Sequence, residues 1–423
     1  MFILYPNKFL TTRAACLFFF FIAHLFFVFA FASPKIDLGI DRLFEEPYLH
    51  YLKGKKVGLI TNHTGVDKNL KPTIEIFKEA KAFSLVALFS PEHGIDGLSY
   101  AAEEIVDLKD SDGVPIYSLH GKTRRPTEKM LSGIDVLVFD IQEIGCRSYT
   151  YASTLFYAIE EAAKKKISFV ILDRPNPMGG LIVDGPMLAD KWRSFLGYVN
   201  VPYCHGMTLG ELANFFNLEY QIGCDLKVIP MNGWKRTMTF KETGIAWIPP
   251  SPHVPEPDTP FFCASTGVLG ELEIVNIGIG YTLPFKLIGA PWIKAKEFAE
   301  KLNSQKLPGV KFVPYHFRPF YGRYKGESCH GVKIVITNAR NYKPLAVQYL
   351  IIGIIKTLYP KEFQEKLKNA SESKRKLFCQ ANGNDAMLHF LFNEKYVAWK
   401  MIHFEAAERE AFLEKRKPYL LYQ

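Results

Sequence analysis

Four short, almost wholly apolar runs, each ending in a polar cluster and separated by stretches of helical spacing, constrain the fold of this 423-residue chain more than any other feature. They are Lys56-Val57-Gly58-Leu59-Ile60, Ser84-Leu85-Val86-Ala87-Leu88-Phe89, Val136-Leu137-Val138-Phe139-Asp140 and Phe169-Val170-Ile171-Leu172-Asp173. A strand wetted on one face alternates apolar and polar side chains. One that is apolar at nearly every position is covered on both faces, which calls for helices above and below a parallel sheet. Apolar residues at helical spacing from Thr73 to Lys81 and from Ser153 to Lys166 supply such covers. The expected class is α/β, with a Rossmann-like layered amino-terminal domain.

Residues 1–32 stand apart from this pattern. Lys8 and Arg13 precede an apolar run from Ala14 to Ala32 that closes on Ala30-Phe31-Ala32, the layout of a secretory signal peptide. Cleavage near Ala32 would leave a secreted or periplasmic protein of a bacterial envelope. The alternative is a retained membrane anchor, since the run is long for a signal. The remaining stretch of about 390 residues exceeds what one core usually serves, so two domains are expected. Past Gly185 the texture turns to Pro- and aromatic-rich loops, then to strand-like alternation within Val310 to Thr337 and a helix from Leu345 to Leu358. The boundary is expected between residues 185 and 235. The division is a Rossmann-like domain over 33–210 and a smaller α+β domain over 211–423 that completes the pocket.

The formal charge of +9 falls to +7 when Lys8 and Arg13 leave with the signal. This excess suits an acidic polymer or mere solubility, and no nucleic-acid partner is expected. Six cysteines remain after cleavage, with no C-x-x-C pair, so a metal site is not expected. The chain has no G-x-S-x-G elbow, no H-E-x-x-H, no G-x-x-x-x-G-K-[ST] and no G-x-G-x-x-G after the first strand. The usual serine-hydrolase, zinc-protease and nucleotide chemistries therefore lose their signatures.

In sheets of this kind the functional crevice forms beyond the carboxyl ends of the strands. Four polar clusters sit there: Thr61-Asn62-His63, Ser90-Pro91-Glu92-His93-Gly94, Asp140-Ile141-Gln142-Glu143 and Asp173-Arg174-Pro175-Asn176-Pro177. Glu92, between Pro91 and His93, is the sharpest candidate for a general acid; the competing reading is a loop carboxylate that caps a helix. Partner carboxylates are available in Asp140, Glu143, Asp173 and Glu271. Arg147 and Arg174 present forks of donors that can grip a carboxylate, or can pair with Asp140 or Asp173. His63, His93, His205 and His253 occupy separate polar loops without zinc-ligand spacing. Tyr149, Tyr151, Trp247 and Tyr281 are second-tier candidates for stacking on a sugar, because aromatics fill cores more often than they bind ligands.

Longer motifs carry a resemblance. Gly58-Leu59-Ile60-Thr61-Asn62-His63-Thr64-Gly65, Ser90-Pro91-Glu92-His93-Gly94, the run Phe139 to Tyr151, Asp173-Arg174-Pro175-Asn176-Pro177, His205-Gly206-Met207-Thr208-Leu209-Gly210-Glu211-Leu212 and Gly289-Ala290-Pro291-Trp292 together resemble the NamZ-type exo-β-N-acetylmuramidases. The resemblance spans from about Gly39 to the tail. It implies a pocket between a Rossmann-like and a smaller domain, and cofactor-free hydrolysis that releases N-acetylmuramic acid from non-reducing ends of peptidoglycan fragments. A non-catalytic envelope protein that binds such fragments is the alternative. Glu92 falls on the family's Pro-Glu-His-Gly glutamate, with His93, Asp140, Glu143 and Glu271 as further catalytic candidates. Asn62, His63, Arg147, Tyr149, Tyr151, Arg174, Asn176 and His205 are the candidates for binding the saccharide, one arginine reading the lactyl carboxylate. Where many members carry a Ser-Glu-Gly-Arg-Gly-Thr stretch, this chain reads Leu269-Gly270-Glu271-Leu272-Glu273-Ile274-Val275-Asn276-Ile277-Gly278-Ile279-Gly280-Tyr281-Thr282. That departure leaves the second carboxylate open.

Overall fold

The computed structural model describes residues 36–100 and 103–423; the expected signal segment, 1–32, lies outside the described residues. The larger sheet contains β1 (Lys56–Thr61), β2 (Ser84–Ser90), β3 (Leu108–Lys109), β4 (Pro115–Ser118), β5 (Val136–Asp140), β6 (Ser168–Leu172) and β7 (Leu226–Ile229). Their order is β3-β4-β2-β1-β5-β6-β7. All neighbours pair in parallel except β3 with β4. From β1 the chain steps outward through β2 and β4, then crosses back and steps the other way through β5, β6 and β7. This is the doubly wound order of Rossmann-type sheets, and the loops part where the order reverses, between β1 and β5. The expected parallel α/β layer is present, and β7 on its edge lies beyond residue 210.

Two-sided burial is visible within single strands. In β5, Leu137 and Phe139 join a core with α2 (Thr150–Lys165) and α3 (Leu209–Glu219), while Val136 and Val138 join the opposite core with Phe77 of α1 (Thr73–Glu79). Successive side chains leave a strand on opposite faces, so a strand clad on both sides must be apolar throughout. Each fully buried side chain of this kind contributes roughly 1.5–3 kcal/mol.

The carboxyl-terminal part holds an antiparallel sheet, β8 (Leu287–Ala290), β9 (Val310–Phe317) and β10 (Cys329–Ile336), in the order β8-β10-β9. Around it lie α4 (Thr259–Gly270), α5 (Pro344–Leu358) and α6 (Glu372–Asn382). Its core also takes in Ile144, Cys146, Tyr203 and Cys204 from the loops beyond the larger sheet. The two sheets therefore meet across a shared apolar seam, and the site lies along it.

Candidate active site

A cavity of about 570 Å³ opens between the carboxyl ends of the larger sheet and the carboxyl-terminal part. Glu92 and His93 reach it from the turn after β2, and Ser148, Tyr149 and Thr150 from the entry to α2. Ser251 and His253 come from the proline-rich loop, Cys263 from α4, Glu271 and Glu273 from the turns after it, and Tyr321 and Arg323 from the β9–β10 hairpin.

Glu92 is presented by a tight turn. The Gly94 amide donates to the Pro91 carbonyl over 3.1 Å, and His93 sits at φ +73°, a left-handed conformation uncommon for a residue with a side chain. Such backbone strain persists where the surroundings hold it, here through the His93 Nδ1 contact to the Ser99 carbonyl at 2.8 Å. The Glu92 side chain is buried at the cavity wall. The Thr150 hydroxyl donates to its Oε2 over 2.5 Å, and His120 Nε2 lies 3.7 Å from its Oε1. Burial and the charge of Arg124 oppose protonation of His120, against the pull of Glu92.

Several predicted residues act one layer further out. The Asn62 amide donates to the Tyr151 hydroxyl over 3.1 Å, which donates in turn to the Pro250 carbonyl over 2.7 Å. His63 Nε2 donates to the Pro249 carbonyl over 2.7 Å. These three side chains hold the proline-rich loop that carries Ser251 and His253, and they do not line the cavity. Tyr149 does line it, packed edge-on against Tyr151 at 4.8 Å.

Other predicted residues lie elsewhere. Asp140 and Arg174 form a buried pair at 2.6 and 2.9 Å, closed by the Thr73 hydroxyl on Asp140 and by the Val66 carbonyl on Arg174. Asp173 accepts from Thr208, Gly210 and Tyr422 and so caps α3; a Cβ at Gly210 would come within 2.8 Å of its carboxyl carbon. Asn176 ties its turn to the Met207 carbonyl at 3.0 Å. His205 accepts from the Met207 amide, and burial, reinforced by Arg416, pushes its pKa down to about 3. Trp247 donates to the Val254 carbonyl, and Tyr281 packs on Phe317 and Phe320. Arg147, expected at the pocket, instead spends its guanidinium on four buried carbonyls, those of Pro186, Val201, Ala381 and Asn382.

Glu143 is fully buried away from the cavity, and desolvation, the largest influence, pushes its pKa up to about 8 despite the Gly145 amide on its Oε2. Folded protein therefore keeps a proton that the unfolded chain loses above its ordinary value of 4.5. The stability tied to that proton is full below pH 4.5 and is lost as pH rises through about 8, by up to ~1.4 kcal/mol per pH unit. Glu143→Gln should gain thermal stability relative to the parent between pH 5 and 8, measured as unfolding midpoints across that range. Parallel curves would show Glu143 to be ionised in the fold.

The carboxylates that line the cavity are thus Glu92, Glu271 and Glu273. Glu273 is paired with Lys374, and burial followed by the neighbouring Glu273 charge raises the pKa of Glu271. His120, Glu273 and Arg323 were not among the expected residues. His120 was within reach of sequence reasoning, since it follows a strand end just as Glu92 does. Its strand, β4, is only four residues long and gives little periodic signal.

Two family models match the chain, one on each side of residue 260. A family model described as the N-terminal region of exo-beta-N-acetylmuramidase NamZ matches residues 57–258, and its C-terminal counterpart matches 262–422. Over 391 residues, 92% of each chain, the sequence is 41% identical to the peptidoglycan beta-N-acetylmuramidase NamZ of Bacillus subtilis (strain 168). A solved DUF1343 family protein from Bacteroides fragilis NCTC 9343 superposes with a TM-score of 0.85 at 40% identity, covering 92% of this chain and 99% of that one. A second from the same strain gives 0.68 at 29% identity with the same coverage.

Proposed function

The chain belongs to the NamZ family of exo-β-N-acetylmuramidases, and from that membership we propose that it hydrolyses peptidoglycan fragments from their non-reducing ends, releasing N-acetylmuramic acid. The observation that carries the reading is the placement of Glu92: a carboxyl group at the sheet's carboxyl edge, aimed into a cavity closed by the second part of the chain. Glu92 is the general acid. It gives its proton to the glycosidic oxygen as the bond to the anomeric carbon breaks, and water supplies the hydroxyl that remains on that carbon. The Thr150 hydroxyl, donating to Oε2, helps to orient the carboxyl group. An oxocarbenium-like transition state gains from a second carboxylate, and the geometry offers Glu271 or Glu273 for that part.

The basic and apolar leader supports action outside the cytoplasm, on wall material. The direct test is incubation with a disaccharide that carries N-acetylmuramic acid at its non-reducing end, followed by identification of products. Equimolar N-acetylmuramic acid and N-acetylglucosamine are expected. Tight binding without turnover would replace the enzyme by a fragment-binding protein.

A further inference from the structure

We propose that Arg323 is the residue that reads the lactyl carboxylate of N-acetylmuramic acid. The inference rests on the function proposed above and deepens it. N-Acetylmuramic acid differs from N-acetylglucosamine by that anionic lactyl ether, so an enzyme selective for it needs a cation at the sugar. Among the described residues that line the cavity, Arg323 is the single lysine or arginine. The arginines that sequence motifs suggested are both committed: Arg174 to Asp140, and Arg147 to backbone carbonyls.

Arg323 is not committed in that way. Among the described residues no carboxylate lies within ion-pair distance of its guanidinium, and its buried Nε makes no hydrogen bond. Its one side-chain hydrogen bond among the described residues is a long one, 3.4 Å from Nη2 to the Tyr324 hydroxyl, and the guanidinium lies 4.4 Å over that ring. A planar guanidinium fork meets a carboxylate through charge-assisted hydrogen bonds, which makes it the better partner for a carboxylate ligand.

The backbone under Arg323 is held without the help of its side chain. The Asn276 amide donates to the Arg323 carbonyl over 2.8 Å, and the Tyr324 hydroxyl donates to the Ile274 carbonyl over 2.9 Å. The backbone that carries the guanidinium is therefore fixed at the cavity that Glu92 also lines. Of the nearby carboxylates, Glu273 already has a partner in Lys374.

The test compares two aryl β-glycosides of N-acetylmuramic acid, one with the free lactyl acid and one with its methyl ester, on the parent enzyme and on Arg323→Gln. The parent should lose roughly ten- to a hundredfold in kcat/KM on esterification, the effect of one charge-assisted bidentate contact. Arg323→Gln should lose a similar factor on the free acid and show almost no further loss on the ester, with an unchanged unfolding midpoint. Arg323→Lys should recover part of the discrimination. A parent enzyme that cleaves acid and ester alike, or a variant that still prefers the acid as strongly as the parent does, would overturn the assignment while leaving the glycosidase reading intact. A parent that cleaves neither glycoside, nor the natural disaccharide, removes the glycosidase reading and Arg323's role with it.

Discussion

Glu92→Gln is expected to lower kcat by roughly a hundred- to ten-thousandfold, the range that general acid assistance supplies, while the unfolding midpoint and the affinity for N-acetylmuramic acid stay close to those of the parent. The amide occupies the same volume, and its oxygen can still accept from the Thr150 hydroxyl. What it lacks is a transferable proton. The strained turn at His93 is held by backbone and by Ser99, so it does not depend on the Glu92 carboxyl. Steady-state kinetics with product detection decides the matter: a variant that keeps a tenth or more of the parental kcat removes Glu92 from the role.

Arg147→Ala is expected to act on the fold. The guanidinium is fully buried, and burial draws its pKa down to about 10, so it stays charged at neutral pH. Its partners are carbonyls from three separate stretches of chain, and two of them, Ala381 and Asn382, end α6. The last carbonyls of a helix have no partner inside it and carry the negative end of its dipole, so a buried cation there both satisfies and neutralises them. Truncation strands several buried carbonyls at once and should cost about 3 kcal/mol or more, read as a lower denaturant midpoint. Arg147→Lys should restore little, because one ammonium cannot span four acceptors in two directions. A stable Arg147→Ala protein with a selective loss of affinity for N-acetylmuramic acid would instead return Arg147 to the substrate.

The contrast between Arg147 and Arg323 shows where the sequence stopped being informative. Arg147 sits in a long family motif next to a strand end, the position from which a crevice residue is expected, yet its side chain turns into the seam between the two sheets. Arg323 sits in a hairpin loop with no motif around it and reaches the cavity only because β9 and β10 pair antiparallel. Asp140 and Arg174 make the same point. Their strand-end positions were legible, but whether two such groups face a substrate or each other depends on distances that no local pattern encodes.

By itself the sequence determined the strands and their two-sided burial, since runs such as Val136-Leu137-Val138-Phe139 are stable only between two helical layers. It also determined that Glu92 stands in a rigid turn at a strand end, because proline and the residues after it restrict the backbone locally. Only the tertiary structure decided which polar groups line the cavity and which brace its walls. Asn62, His63 and Tyr151 were spoken for by carbonyls or hydroxyls far away in sequence, and the cavity was completed by Glu271, Glu273 and Arg323 from the other side of the seam. The reason is that periodicity and turn chemistry are properties of a few neighbouring residues. The partner of a buried polar group is set by chain segments up to 249 residues apart.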